Sequence, residues 1–355
     1  MKHIRQIIEE KGSITIAQFM ELAMYDLHNG YYITSDPIGK NGDFITAPEI
    51  SQLFGEMIGV YCASVWEKLR KPKEFNLVEL GPGRATLMLD LIRATKNLKE
   101  FTNGMNIHLV ETNEKLIHLQ KEKLANYPVT WHKDVMSLPD DLPLIIVANE
   151  FFDCLPINQY IKDQNIWHEQ AVSIIPKSEE FCLIKTPILS HFGASLNREH
   201  PNSKQGAILE VSYPAINIIQ TISNILCKVP GYLLAIDYGY DIDPLSRNSY
   251  NSSLQAVKDH KFHPMFSDIG RADLTSHVDF LALRQTAKAH FCKASETISQ
   301  REFLNYQGIN LRADILKKKA TIQQAIEIDE GLDRLINPKY MGNLFKVVEI
   351  SNLNS

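Results

Sequence analysis

Five carboxylates in this chain stand in or just beyond short apolar runs, where they could touch a ligand held against the edge of a sheet. Glu79 lies near the end of Phe75 to Leu80, Glu111 closes the run from Asn106, and Asp134 follows Val129 to His132. Glu150 and Asp153 follow the uninterrupted apolar run Leu142 to Ala148, with Asn149 between. A carboxylate at the end of a buried strand is costly unless something outside the sheet engages it. A ligand with cationic or hydroxylated parts would do so.

The first acid sits beside a glycine turn. Phe75-Asn-Leu-Val-Glu-Leu80 runs into Gly81-Pro82-Gly83, and apolar side chains at helical spacing follow through Ile92. That order is strand, turn, helix, the opening unit of an open α/β sheet. Glycine lets a ligand lie against the turn and meet the N–H groups of the next helix. Ligands of such sheets bind outside the carboxyl ends of the strands. Glu111 there meets ribose hydroxyls, and Asp134, with Val135 after it, can accept from an adenine amino group. Asn149-Glu-Phe-Phe-Asp153 brings an amide, two carboxylates and two aromatic rings to the same edge. The competing account of Asn149 and Asp153 is helix capping.

Runs of alternating residues from Ile157 to about 205, split by polar turns, predict antiparallel strands inserted into this sheet. The first 72 residues predict a helical extension, with a helix from Pro48 to about Leu69. A loop carrying Asp43 and Thr46 precedes that helix and is expected to close over the ligand. Residues 73–355 form the core, including a polar segment at about 240–280 on the substrate side and a late strand at Met341 to Ser351. Thr286 to Ser295 reads as a further strand.

Composition narrows the function. The chain has 355 residues, 44% hydrophobic and 22% charged, as soluble globular proteins do. A net charge of −5 argues against nucleic-acid binding. No apolar run is long enough to span a bilayer. The five cysteines form no C-x-x-C pair, and His260, His263 and His277 lack zinc-ligand spacing, so no metal is expected. The first dozen residues lack the apolar core of a secretion signal and the Arg/Ser-rich look of a transit peptide. The expected location is cytoplasmic.

Two nucleotide readings meet at the glycine turn. A dinucleotide fold, and with it a nicotinamide-dependent oxidoreductase, wants a third glycine where this chain has Thr86. Glu79-Leu-Gly81-Pro-Gly83 instead resembles the first motif of class I methyltransferases, whose cofactor S-adenosylmethionine carries an ammonium, a sulfonium and a ribose. The longer blocks resemble the MidA family: Gly42-Asp-Phe-Ile-Thr-Ala-Pro-Glu-Ile-Ser-Gln-Leu-Phe-Gly-Glu56, Glu79 to Arg84, Ala148 to Asp153, Leu155-Pro156, Ile236-Asp-Tyr-Gly239, Ala272-Asp-Leu-Thr275 and Met341 to Lys346. They cover nearly the whole chain.

The resemblance implies a class I, Rossmann-like, seven-stranded methyltransferase fold with an N-terminal helical extension and an inserted segment. It implies S-adenosylmethionine as cofactor and methyl transfer to a protein arginine, with a subunit of respiratory complex I as the target of the mitochondrial member. Glu79, Gly81, Pro82 and Gly83 would hold the methionine part, Glu111 the ribose, and Asp134 and Val135 the adenine. Asp43 and Thr46 would exclude water, and Glu150, Asp153 and Asn149 would hold the acceptor nitrogen. The alternative of another class is a cofactor-binding assembly factor that acts by protein contact; a homodimer is compatible with either. The family has glycine where this chain has Ala85, a change that ordinary helical dihedrals would accommodate. It also favours Thr-Gln-Gly where this chain has Ser299-Gln-Arg301.

Overall fold

A computed structural model describes residues 2–26, 29–34, 46–247 and 249–353. Its principal sheet is built from β1 (Phe75–Leu80), β2 (Met105–Val110), β3 (Val129–His132), β4 (Leu144–Asn149), β5 (Gly231–Tyr240) and β6 (Phe345–Ser351). From one edge the order is Lys293–Ala294, β6, β5, β4, β1, β2, β3, seven strands along the path. Two two-residue strands, Val278–Asp279 beside β5 and Ile298–Ser299 beside β6, complete it. β1 to β5 pair in parallel and β6 runs antiparallel to β5.

Every residue of β1 and β4 is buried, as a parallel strand covered on both faces requires. Alternation divides their side chains between two cores. Leu77, Ile145, Val147 and Ile236 pack beneath the helices Gln52–Lys68 and Thr86–Thr95. Val78, Leu80, Ile146 and Ala235 pack beneath Tyr213–Leu226 and Phe280–Ala289.

A second sheet of five strands stands apart from the first. Asn158–Asp163, Ile166–Ile174, Phe181–Pro187 and Ile208–Val211 come from the insertion, which therefore runs past the expected end near 205. The fifth strand, Ile14–Thr15, comes from the N-terminal extension and pairs antiparallel with Val172 and Ala171. Ile4, Ile8, Phe19 and Met24 of the extension share one core with Val172 and Leu274.

Two other expectations are corrected. The helix expected from Pro48 to Leu69 is broken at Ser51, which is extended at φ −157 and ψ 135 and caps the second piece through Leu53 N at 3.3 Å. The strand expected over Thr286–Ser295 begins as the end of the helix Phe280–Ala289 and is reduced to the two-residue strand Lys293–Ala294. Asp279 caps that helix through Ala282 N at 3.0 Å, and Phe280, Leu283 and Ala287 bury at helical spacing. No described helix is long and apolar enough to cross a membrane.

Candidate functional site

The register of the sheet brings the sequence-predicted acids to one edge. Glu79 pairs across to Val147 of β4 and Leu109 of β2, so Asn149 and Glu150 lie just beyond it on one side and Glu111 on the other. Asp237, in β5, follows the residue paired with Asn149. Neighbouring parallel strands lie about 4.8 Å apart, so these side chains share one crevice edge.

The turn after β1 is left-handed at Gly81 (φ +63) and at Gly83 (φ +52), the region that glycine alone enters at little cost. Gly81 N donates to Val110 O at 3.0 Å, and Ala85 N closes the turn on Pro82 O at 2.7 Å. A Cβ at Gly81 would stand 2.9 Å from the Phe151 ring, so the two loops meet with no space for a side chain. Ala85 departs from expectation. It caps the next helix at φ 57 and ψ 26, a left-handed conformation costing an L-residue about 1 kcal/mol, while its methyl is fully buried.

Glu79 is 3% exposed, and among the described residues its Oε2 has no hydrogen-bond partner. Burial pushes its carboxyl up to about 8. Asn149, 8% exposed and on the same face of the sheet, likewise leaves its Oδ1 without a donor. Two buried acceptors beside a glycine turn fit the ammonium end of S-adenosylmethionine, which would donate to both. Glu111 accepts from Thr112 N at 2.8 Å, Asn113 N at 2.9 Å and Gln120 Nε2 at 3.3 Å, which fix its carboxylate at the end of β2. Burial nonetheless raises its pKa.

Gln120, fully buried, went unseen in the sequence because it sits in an ordinary polar helix. Its Nε2 also donates to Gly83 O at 2.8 Å, and its Oε1 accepts from Trp131 Nε1 at 2.9 Å. One side chain thus ties the glycine turn to the end of β2. Asp134 is exposed beyond β3, with one oxygen accepting Ser137 N at 3.0 Å, and Val135 after it is buried. Thr46 stands at the N-cap of Ala47–Ile50 without a side-chain cap bond, and Asp43 lies outside the described residues.

Past β4 the chain turns at Glu150, left-handed at φ 50. No helix follows, and the turn's N–H groups are claimed by Asp237, not by Asn149 or Asp153. Asp237 Oδ2 accepts from Phe151 N at 3.1 Å, Phe152 N at 2.9 Å and Asp153 N at 3.2 Å. The fully buried Asp237 is held well above the usual carboxylate range by burial and by repulsion from Asp153 and Glu150. Its signal, an acid near the end of a fifth apolar run, was present in the sequence.

Glu150 Oε1 accepts from Ala47 N at 2.7 Å and from Asn149 Nδ2 at 3.1 Å. Burial raises Glu150 to about 7 and Asp153 to about 6. Two buried acids, Asp153 and Asp237, and the half-buried Glu150, all with raised pKa values where the loop meets β5, describe a site short of a cation. The N-terminal extension walls its far side. Tyr25 Oη donates to Cys154 O at 3.2 Å, its ring stacks on Tyr32 at 5.4 Å, and Asn113 Nδ2 donates to Tyr32 O.

A family model for S-adenosyl-L-methionine-dependent methyltransferases matches residues 57–298. The mitochondrial protein arginine methyltransferase NDUFAF7 of Rattus norvegicus is 32% identical, over 97% of this chain and 82% of that protein. The human protein of the same name is 32% identical, over 97% and 81%. Among solved structures, a COG1565 superfamily member from Burkholderia thailandensis bound to S-adenosyl-homocysteine superposes with a TM-score of 0.87 at 24% identity. That match covers 100% of this chain and 92% of the other.

Proposed function

This chain belongs to the family of S-adenosyl-L-methionine-dependent methyltransferases, and from that premise we propose that it methylates a guanidinium nitrogen of an arginine in a protein substrate. The observation that carries the acceptor is the trio of half-buried Glu150 with buried Asp153 and Asp237, all with raised pKa values beside the glycine turn. A guanidinium is always charged in water and forms a planar fork that matches carboxylates. Its arrival restores the favoured ionised state of these acids.

The bound cofactor supplies a methyl group on a positively charged sulfur, a leaving group that needs no acid. The protein's work is orientation and electrostatics. In this reading Glu79 takes the cofactor's ammonium together with Asn149, whose Oδ1, unpartnered among the described residues, moves it there from the acceptor role first expected of it. The Gly81–Gly83 turn admits the cofactor's chain, and Glu111 takes the ribose. Asp134 and Val135 border the adenine, and Asp43 and Thr46 belong to the covering loop. Glu150 and Asp153 hold the guanidinium so that one nitrogen's electron pair faces the methyl. The guanidinium sheds one proton on accepting the methyl, and Glu150, ionised in the clamp, is the carboxylate assigned to receive it. Asp237 positions the loop. The complex I subunit named by the family resemblance is the first target to try.

Glu150→Gln keeps an acceptor for Ala47 N, and Asp153→Asn keeps the side chain's size. Each is expected to lower methylation of an arginine substrate about 100-fold, in the range typical of general acid–base groups, with S-adenosylhomocysteine binding intact. Unchanged methylation in both variants would remove the acceptor role from this loop.

A further inference from the structure

Outside the cofactor edge a cavity of about 560 Å³ lies between the inserted sheet and the core, within the range of ligand sites. It backs onto the same loop. Phe151 covers Gly81 on the cofactor side, while Phe152, its ring 5.2 Å from that of Phe151, forms a wall of the cavity. The opposite wall comes from the insertion, through Phe192, and from Tyr213 of the next helix.

The cavity is acidic. Glu199, Asp243 and Asp279 line it, and among the described residues no lysine or arginine does. Their recorded bonds are to neutral donors: Ser195 Oγ at 2.6 Å, Leu245 N at 2.8 Å and Ala282 N at 3.0 Å. The remaining acid, Glu210, is committed to Gln159 Nε2 at 2.8 Å and Ser253 N at 2.9 Å. His200 also lines the cavity; it is 9% exposed and its Nδ1 has no partner among the described residues. Arg247 behind the wall partly offsets Asp279, which leaves Glu199 and Asp243 as the exposed acids; with the aromatic walls and an unmet imidazole nitrogen they describe a site for an apolar and cationic chain.

We propose that this cavity binds the stretch of acceptor polypeptide flanking the methylated residue, selecting apolar side chains next to lysine or arginine. The backbone of the catalytic loop couples the two sites, since Ser276, in the cavity wall, donates its N–H to Asp153 O at 2.9 Å. The proposal rests on the reading of the chain as a protein arginine methyltransferase, so its test separates binding from turnover.

The probe is a fluorescein-labelled peptide with a central Gly-Arg-Gly flanked by leucine and lysine. Its binding to the full chain loaded with S-adenosylhomocysteine is read by anisotropy, against a control flanked by leucine and glutamate. The parent is expected to bind the basic peptide at least tenfold more tightly than the acidic one. Ala282→Trp, which fills the cavity, is expected to weaken the basic peptide at least tenfold. The exposed pair Glu199→Gln and Asp243→Asn, which carries little folding risk, is expected to weaken it about threefold to tenfold. S-adenosylhomocysteine affinity should stay unchanged in all. Equal affinity for the two peptides, or equal binding by parent and variants, would overturn the proposal. So would a concentration-dependent dimer dispersed by Ala282→Trp, which would give the cavity to a second copy of the chain. Peptide bound as expected but never methylated would count against the arginine reading and leave the cavity's role standing.

Discussion

Glu79 concentrates the logic of the site in one side chain. Its ordinary pKa is 4.5, and burial, with Oε2 unpartnered among the described residues, raises it to about 8. Between those values the native state without cofactor holds a proton that the unfolded chain has lost. Stability therefore falls as pH rises through that window, by about 1.4 kcal/mol per pH unit for each such proton, and levels off above it. Glu150 and Asp153 add to the fall lower down, about their raised values near 7 and 6. Glu79→Gln is expected to remove about one proton's worth of slope between pH 7 and 8, measured by urea unfolding of cofactor-free protein. The same substitution should weaken S-adenosylhomocysteine binding about tenfold to 100-fold, because a charge-assisted hydrogen bond to the ammonium contributes about 1.5–3 kcal/mol. An unaltered slope together with unaltered affinity would mean that Glu79 does not face the cofactor.

At the scale of elements, the catalytic loop is held from below by β5. Asp237 takes three N–H groups of residues 151–153 on one oxygen and Tyr238 N, at 2.9 Å, on the other. Asp237→Ala orphans all four donors and is expected to cost about 3 kcal/mol by urea unfolding. It should also abolish methylation, since Glu150 and Asp153 lose their footing. A loss below about 1 kcal/mol would show that the loop carries itself. The sheet that does this positioning was legible in the sequence because its strands are short, largely apolar runs with acids at or just past their ends, a pattern that buried parallel strands produce directly. The finer devices were not. Gln120 has no local signature, the left-handed turn at Ala85 looks like an ordinary helix start, and Ser51 is one serine within a helical pattern. Gln120 takes its role from distant partners, Gly83 and Trp131, which its own neighbours do not announce. The start of the helix over Phe280–Ala289 was legible from Asp279, but its last turn was taken into the following strand, because a short apolar run does not distinguish a strand from a buried helix.

The whole molecule joins sequence-distant parts around the crevice. Residues 14 and 15 extend the inserted sheet, and the extension's apolar face shares a core with that sheet and with Leu274. Tyr25 and Tyr32 then carry it to Cys154 and Asn113, one beside the acceptor loop and the other beside the ribose acid. β6 pairs with all of β5 from Tyr232 to Tyr238, so the strand holding Asp237 is completed only by the last part of the chain. Removing the two ends should therefore fail differently. Without residues 346–355, the apolar side chains of β6 leave both cores and one edge of β5 is unpaired, so the protein is expected to aggregate instead of unfolding cooperatively. Without residues 2–25 the principal sheet keeps all its strands. That protein is expected to retain a cooperative transition and S-adenosylhomocysteine binding within about tenfold, while losing acceptor methylation because the wall beside Asp153 is gone. Chemical denaturation and calorimetric titration of the two truncations distinguish these outcomes. Methylation surviving the N-terminal deletion would place the acceptor entirely on the core, and the extension would then serve only to bury the inserted sheet.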